Sequence, residues 1–197
     1  MARPWIALYS QTGSEILTLS RLLGRVPDEI ITNTQREVDP AFNDLSYRLF
    51  VRGQHKDLMA YLRTAYGSNP IVTLHGYLRI IPEDICFNMD VYNGHPGLIT
   101  QYPELKGKDP QEKVWISRER YDIIGSVIHK VSRDLDGGPI IAEASATYGD
   151  KGSKVVLYNQ LRCLSLTTWL NFFGNELYEN RDNRSTFHRQ NNPPECS

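Results

Sequence analysis

The sequence has few cysteines, little net charge and no long apolar run. Its 197 residues include only three cysteines, Cys86, Cys163 and Cys196, which are too few and too far apart for a disulfide framework or a zinc site. We therefore expect a reducing compartment, the cytoplasm, and no metal. Lys and Arg total 22 against 23 Asp and Glu, and the net charge of −1 gives no electrostatic reason to expect binding to nucleic acid.

No stretch of about 18 consecutive apolar residues is present, so we expect no membrane-spanning helix. The first residues, MARPWIALYSQTG, also lack the apolar segment of a signal peptide. The length suits one large domain with a substantial core. We assign that domain to residues 1–177, and we interpret residues 178–197, which are rich in Asn, Arg and Pro, as a polar and flexible tail.

The hydrophobic pattern predicts an α/β fold. Apolar runs begin near residues 5, 29, 47 and 71, with helically spaced apolar residues between several of them. Such alternation indicates a mostly parallel, Rossmann-like sheet flanked by helices. We then expect a strand that ends near Tyr92, and an antiparallel pair of strands within residues 122–132 and 139–148. A final helix should follow, from about Lys154 to Phe173.

Two short motifs carry the chemistry. VYNGHPGL places Asn93 and His95 two residues apart, so on an extended backbone both side chains lie on one face, with space behind them at the intervening glycine. An amide and a protonated imidazole can stabilise a tetrahedral oxyanion and donate a proton. DLDGGP supplies Asp136, which can hydrogen-bond the imidazole, raise its pKa and accept a proton from a nucleophile. Each motif alone also fits an ordinary loop or turn.

Taken together, the motifs resemble the signature stretches of the folate-dependent formyltransferases, and most of all those of the glycinamide ribonucleotide formyltransferase branch. The matching stretches are GYLRII, NGHPGLI and GSVIHKVSRDLDGGPII, in the family's order and spacing. The resemblance implies transfer of the formyl group of 10-formyltetrahydrofolate, a co-substrate, to a primary amine. It also implies that Asn93 and His95 polarise the formyl carbonyl, and that Asp136 keeps His95 charged and helps to move protons.

The resemblance implies two binding regions as well. The reduced folate would contact Leu78, Arg79, Ile80, Ile81, Val91, Arg133, Asp134, Leu135, Gly137 and Gly138. The amine acceptor would contact Gly13, Ser14, Glu15, Gly76, Pro96 and Asn159, of which the first three match a phosphate-binding turn at a helix start. His129 matches a family histidine, for which a half-buried structural role is an equally good interpretation.

Several residues on the acceptor side depart from the family pattern. Glu15 replaces a neutral residue and would repel a phosphate unless its side chain turned outward along the helix, while Ser14 also fits a simple helix cap. His75 stands where a small residue is usual, and Ile99-Thr100 replace a leucine-proline pair. The final helix lacks the glutamate that would bind the glycinamide and has Asn159, Gln160 and Arg162 there instead. The residues matched to folate binding follow the family pattern, whereas those matched to binding of the amine acceptor depart from it.

Four interpretations of the function stay open. The acceptor is glycinamide ribonucleotide or a related amine, or it is a sugar nucleotide or modified nucleotide. Alternatively, the protein hydrolyses 10-formyltetrahydrofolate, or it is a non-catalytic folate-binding module. The hydrolases generally carry an N-terminal regulatory domain, for which the first strand at Trp5 leaves no room. A silent module would be expected to have lost Asn93, His95 or Asp136.

The expected partners are a small-molecule amine and a reduced folate, with no nucleic acid and no membrane. The chain is too short for the added C-terminal domain of the methionyl-tRNA enzymes. The oligomeric state, a homodimer included, stays open. The long polar loop from Tyr102 to Trp115 lies next to the site in sequence, and it fits either a lid over the acceptor or a solvated excursion.

Overall fold

The computed structural model describes residues 3–34, 36–43, 45, 47–49, 54–149 and 151–189. The strands are β1 Trp5–Tyr9, β2 Glu29–Thr32, β3 Tyr47–Leu49, β4 Ile71–His75, β5 Asp90–His95, β6 Ile123–Lys130 and β7 Ile140–Thr147. The helices are α1 Ser14–Leu23, α2 His55–Thr64, α3 Glu83–Asn88, α4 Pro110–Ile116 and α5 Lys154–Arg189. The strands form a seven-stranded sheet in the order β3-β2-β1-β4-β5-β6-β7.

The sheet is parallel on one side and antiparallel on the other. Strands β3, β2, β1, β4 and β5 run parallel to one another. The pairs β5-β6 and β6-β7 are antiparallel. Parallel strands covered on both faces read as continuous apolar runs, which is why β1 and β4 were recognisable in the sequence. The predicted α/β fold, with a mostly parallel sheet, C-terminal antiparallel strands and a final helix, is confirmed.

Two boundaries differ from the prediction, and a third lies outside the described residues. Strand β5 was expected to end near Tyr92, but antiparallel pairing with β6 extends it to His95. Helix α5 was expected to end near Phe173, but it continues to Arg189 because neither Gly174 nor the polar residues after it stop the helix. The tail assigned to residues 178–197 thus begins as helix, and its last residues lie outside the described part, as does the end of the predicted third strand. Flexibility of this tail stays a prediction.

Apolar residues fill both faces of the sheet. One face is covered by α1 and α5, with Trp5, Tyr9, Ile16, Trp169 and Phe172 at its centre. The other is covered by α2 and α3, with Leu8, Ile31, Leu58, Val91 and Ile85. A third cluster lies under the antiparallel end and includes Leu98, Leu105, Val114, Ile124 and Leu157. In the part of the chain that the structure describes, no helix is long and apolar enough to cross a membrane.

Candidate active site

Strand β5 presents Asn93 and His95 on one face of the sheet, as the sequence predicted. They are paired across the ladder with His129 and Val127 of β6, respectively, and His95 is 4% exposed. Gly94 faces the opposite side, where a Cβ atom would lie 2.8 Å from Nε1 of Trp169. Only a glycine lets the Trp169 indole pack this closely behind the strand.

Asp136 meets His95 in the folded chain. Its Oδ2 lies 3.4 Å from His95 Nδ1, and both side chains are nearly buried. Asp136 adopts φ of 48°, a left-handed conformation that is uncommon for residues other than glycine. The loop that carries it is pressed against β6, since a Cβ on Gly138 would lie only 1.8 Å from the Lys130 carbonyl oxygen. Close approach of the backbone at Gly138 therefore places the carboxylate.

His129 contacts two of the three predicted catalytic side chains. Its Nε2 lies 3.2 Å from Asp136 Oδ1 and 3.1 Å from Asn93 Nδ2. Its Nδ1 lies 3.2 Å from the Lys130 carbonyl oxygen, and the residue is 2% exposed. His129 is thus almost fully buried rather than half-buried, and it contacts both Asn93 and Asp136. The signal that could have found it is the strand register, which sets His129 opposite Asn93.

The Tyr102–Trp115 loop packs against this group of side chains. The carbonyl oxygen of Leu105 accepts a hydrogen bond from His95 Nε2 at 3.0 Å. The Gly107 N–H donates to Asp136 Oδ2 at 2.8 Å. The Leu105 side chain is only 2% exposed, so the loop is anchored in the core. These contacts are made by main-chain atoms, which is why no residue motif announced them.

Burial dominates the protonation of His95. It lowers the pKa of His95 below the usual 6.5, against the opposing effects of the Asp136 charge and the Leu105 carbonyl. We expected Asp136 to raise this pKa; its charge acts in that direction, but the net change is downward. Burial alone would raise the pKa of Asp136, but hydrogen bonds from His129 and Gly107 outweigh it, and the pKa falls below 3.8. The resting site therefore holds a neutral imidazole and an ionised carboxylate.

The residues predicted to bind folate fall into an exposed group and a buried group. Leu78, Ile80 and Leu135 are large apolar side chains that are 66%, 81% and 71% exposed on two loops. Arg79, Arg133, Asp134 and Gly137 are exposed on the same loops, and Gly138 is partly buried. Ile81 and Val91 are buried in the core. The Leu78 N–H donates to Ser10 Oγ at 2.9 Å, and this hydrogen bond connects the loop between β4 and α3 to the end of β1.

On the acceptor side, Glu15 turns inward instead of outward. Its Oε2 lies 2.7 Å from Nδ1 of the buried His75, and Oε1 accepts a hydrogen bond from Ser165 of α5. Burial alone would raise the pKa of Glu15, but the hydrogen bond and charge of His75, with the Ser165 hydroxyl, hold the pKa below its usual value. Two departures from the family pattern, Glu15 and His75, thus form one cluster. Helix α1 begins at Ser14 without a side-chain cap.

The remaining residues predicted to bind the acceptor lie in different parts of the fold. Gly76 directly follows β4, and its carbonyl accepts a hydrogen bond from the Ser10 N–H at 3.3 Å next to the end of β1, whereas Gly13 directly precedes α1. Pro96 directly follows β5 and is partly buried. Asn159 instead lines a shallow groove between β7 and α5 whose lining does not include the three catalytic candidates. Among the described residues, no group of three or more His, Cys, Asp or Glu could hold a metal ion.

Comparison with known proteins adds to this geometry. The family model described as formyl transferase matches residues 30–167. The fold is similar to that of phosphoribosylglycinamide formyltransferase from Anaplasma phagocytophilum, with 21% identity, coverage of 92% of this chain and 89% of that chain, and a TM-score of 0.74. For phosphoribosylglycinamide formyltransferase from Campylobacter jejuni subsp. jejuni NCTC 11168, the identity is 18%, the coverage 88% and 98%, and the TM-score 0.73.

A formyltetrahydrofolate deformylase from Pseudomonas putida KT2440 has a similar fold as well, with 20% identity, coverage of 90% of this chain and 66% of that chain, and a TM-score of 0.70. No curated protein matches the sequence significantly. The family match covers most of the chain and includes all three catalytic candidates, Asn93, His95 and Asp136. The chain therefore belongs to the formyl transferase family and is a formyltransferase with that family's fold.

Proposed function

We propose that this protein transfers the formyl group of 10-formyltetrahydrofolate to a primary amine. The observation that carries the proposal is the meeting of His95 and Asp136 at 3.4 Å, beside Asn93, in a nearly buried site. Their side chains come from β5 and from the β6-β7 loop, far apart in the chain. An amide donor, an imidazole and a carboxylate in one place are the groups that amide-forming acyl transfer needs.

The steps follow from the chemistry of these groups. The lone pair of the acceptor amine forms a bond to the formyl carbon, and the formyl oxygen takes the negative charge. The side chains of Asn93 and protonated His95 donate to that oxygen. The bond between the formyl carbon and folate N10 then breaks, N10 gains a proton and the former amine loses one. Asp136, held ionised by its hydrogen bonds, favours positive charge on His95 and relays the proton directly or through water.

The folate would lie along the loops after β4 and β6. Exposed Leu78, Ile80 and Leu135 offer apolar surface there for a flat ring system. Bound there, it would supply the activated formyl group and the leaving nitrogen. Main-chain groups of the same loops would recognise the ring edges, which tolerates side-chain change at Arg79 and Arg133.

The identity of the amine that accepts the formyl group is a separate part of the proposal. The names of the similar phosphoribosylglycinamide formyltransferases favour a small nucleotide-type amine, such as glycinamide ribonucleotide. The ionised Glu15 in the first turn of α1 disfavours a phosphate beside Gly13 and Ser14. The charge of Glu15 favours an acceptor whose phosphates lie away from this turn, such as an amino-sugar nucleotide or a modified nucleotide. We place the reaction in the cytoplasm, since Cys86 and Cys163 are free thiols.

Hydrolysis is the second candidate. The fold is similar to that of a formyltetrahydrofolate deformylase along 90% of this chain. With water in the place of the amine, the same oxyanion contacts from Asn93 and His95 would release formate. A silent folate-binding module is disfavoured because all three catalytic candidates are present.

The test is to incubate the protein with 10-formyltetrahydrofolate and a panel of amines, and to follow tetrahydrofolate release with and without each amine. The panel includes glycinamide ribonucleotide and amino-sugar nucleotides. We expect release that depends on one class of amine. Release without any amine would indicate the hydrolase, and no release under any condition would contradict both catalytic proposals.

A further inference from the structure

Lys113 reaches from α4 back to the loop that precedes it. Its Nζ donates to the carbonyl oxygen of Glu104 at 3.1 Å and to that of Lys106 at 2.6 Å. These two carbonyls flank Leu105. Hydrogen bonds from an ammonium group are roughly twice as strong as those between neutral groups. Lys113 therefore clamps the main chain on both sides of Leu105.

The clamped segment is the one that touches both ionisable catalytic candidates. Leu105 accepts from His95 Nε2 at 3.0 Å, and the Gly107 N–H donates to Asp136 Oδ2 at 2.8 Å. Leu105 is further anchored by its buried side chain, which packs in the same cluster as Val114, the neighbour of Lys113. The Lys106 carbonyl that Lys113 binds belongs to the same peptide unit as the Gly107 N–H, and the Leu105 carbonyl lies in the peptide unit between the two carbonyls that Lys113 binds.

We infer that Lys113 is a positioning residue for His95 and Asp136, acting through the main chain of residues 104–107. The inference rests on the proposed function of these two side chains. A carbonyl oxygen only accepts hydrogen bonds, so the Leu105 contact keeps a proton on His95 Nε2 and turns Nδ1 towards Asp136. That orientation is the one in which protonated His95 donates from Nδ1 to the formyl oxygen.

The charge of Lys113 acts on His95 as well. Among the described residues, the charges of Asp136, His129 and Lys113 act on the imidazole. The first raises the pKa of His95, and the other two lower it. Removing the ammonium should also loosen the Leu105 carbonyl. Because the Leu105 hydrogen bond raises the pKa of His95 more than the charge of Lys113 lowers it, loss of both should shift the titration of His95 downward. Removal of the charge alone, with the Leu105 contact intact, would instead shift it upward.

The experiment compares Lys113→Met with Lys108→Met, using the full chain. Methionine keeps most of the stem and volume of lysine and removes the charge. Lys108 is in the same loop, and its side chain is 91% exposed. We expect kcat for 10-formyltetrahydrofolate turnover to fall about tenfold or more in Lys113→Met, with KM for the folate changed less than about threefold, and to stay within about twofold in Lys108→Met. Lys113→Arg should restore most of the rate.

The second readout is independent of catalysis. The NMR titration of the His95 ring, assigned with His95→Gln, should show a lower midpoint in Lys113→Met than in wild type and an unchanged midpoint in Lys108→Met. If the wild type is inactive, the proposed function fails, but this titration still decides the role of Lys113. An unshifted or higher midpoint overturns the inference, and so does unchanged kcat in an active enzyme.

Discussion

His95 and Asp136 are both nearly buried, and both pKa values are lowered, but for different reasons. Burial makes the imidazole neutral, whereas hydrogen bonds from His129 and Gly107 keep the carboxylate charged. The resting site thus holds an anion ready to stabilise positive charge on His95. As negative charge develops on the formyl oxygen, it favours the imidazolium that burial disfavours. The proton on His95 Nδ1 is then available mainly while the transition state forms.

At the residue scale, Asp136→Asn should abolish most of the activity. An amide cannot stabilise the imidazolium or take up a proton, so we expect kcat to fall by about two to four orders of magnitude. The measurement is the initial rate of tetrahydrofolate release with the best acceptor. Asp122→Asn, at a carboxylate that is 91% exposed, is the matched control and should leave the rate unchanged. Equal rates in the two variants would contradict the role of Asp136.

A second residue-scale prediction concerns Glu15. Its carboxylate accepts from His75 and Ser165, so Glu15→Gln should reduce the free energy of unfolding at pH 7 by about 1–3 kcal/mol. Because the folded pKa of Glu15 lies below 4.5, this contribution is present above pH 4.5 and is lost as the pH falls through the lowered pKa. Urea denaturation of both proteins at pH 7 and pH 3.5 measures it. A difference that grows in acid would refute the pairing.

Glu15 also bears on the choice of acceptor. Glu15→Asn removes a negative charge from the first turn of α1, so we expect kcat/KM for a phosphorylated amine to rise by about two- to tenfold relative to its dephosphorylated counterpart. Competition between the two amines in one reaction measures the ratio. An unchanged ratio would mean that phosphate does not bind near this turn.

At the element scale, strand β5 was predicted only in part from the sequence. The start of strand β4 was predicted, because its apolar run is local information. The end of β5 was missed because its last residues are strand only through pairing with β6, which lies far along the chain. Leu105 and Gly107 were missed for a related reason, since main-chain contacts leave no mark on residue type. The same-face placement of Asn93 and His95 needed only strand geometry.

The close packing behind β5 gives an element-scale prediction. In Gly94→Ala the new methyl group would lie 2.8 Å from Trp169, so the strand or the indole must shift. We expect a loss of about 1–3 kcal/mol in the free energy of unfolding, with lower activity as the strand moves. Gly149→Ala is the control, because nothing lies within 4 Å of its added methyl group. Urea denaturation that gives the same stability for both variants would contradict this packing.

At the scale of the whole molecule, the alternation of strands and helices predicted the fold, but it could not predict the acceptor. The reaction was predicted from two motifs whose side chains meet as expected. The acceptor side depends on the side-chain orientation of Glu15, which the residue type alone does not fix and which the structure shows to be inward, towards His75. One fold hosts transferases and hydrolases alike, so the acceptor must come from the site.

The whole molecule should lose stability on acidification in two stages. His95 has a folded pKa below 6.5, so the unfolded chain binds its proton first and stability falls as the pH drops below 6.5. Glu15 and Asp136 then lose their contributions below about pH 4.5 and 3.8. The free energy of unfolding, measured from pH 7.5 to 3.5, should fall in the wild type. His95→Gln should flatten the stage just below pH 6.5, and an identical profile would contradict the burial effect.

The central claim is tested most directly by following the formyl carbon itself. 10-Formyltetrahydrofolate labelled with ¹³C in the formyl group is incubated with the acceptor and either wild-type protein or His95→Ala, and the carbon is followed by NMR. The account predicts that the label moves to the acceptor nitrogen as a formamide with the wild type and stays on the folate with His95→Ala. Label released as formate, or moved at equal rates by both proteins, would contradict it.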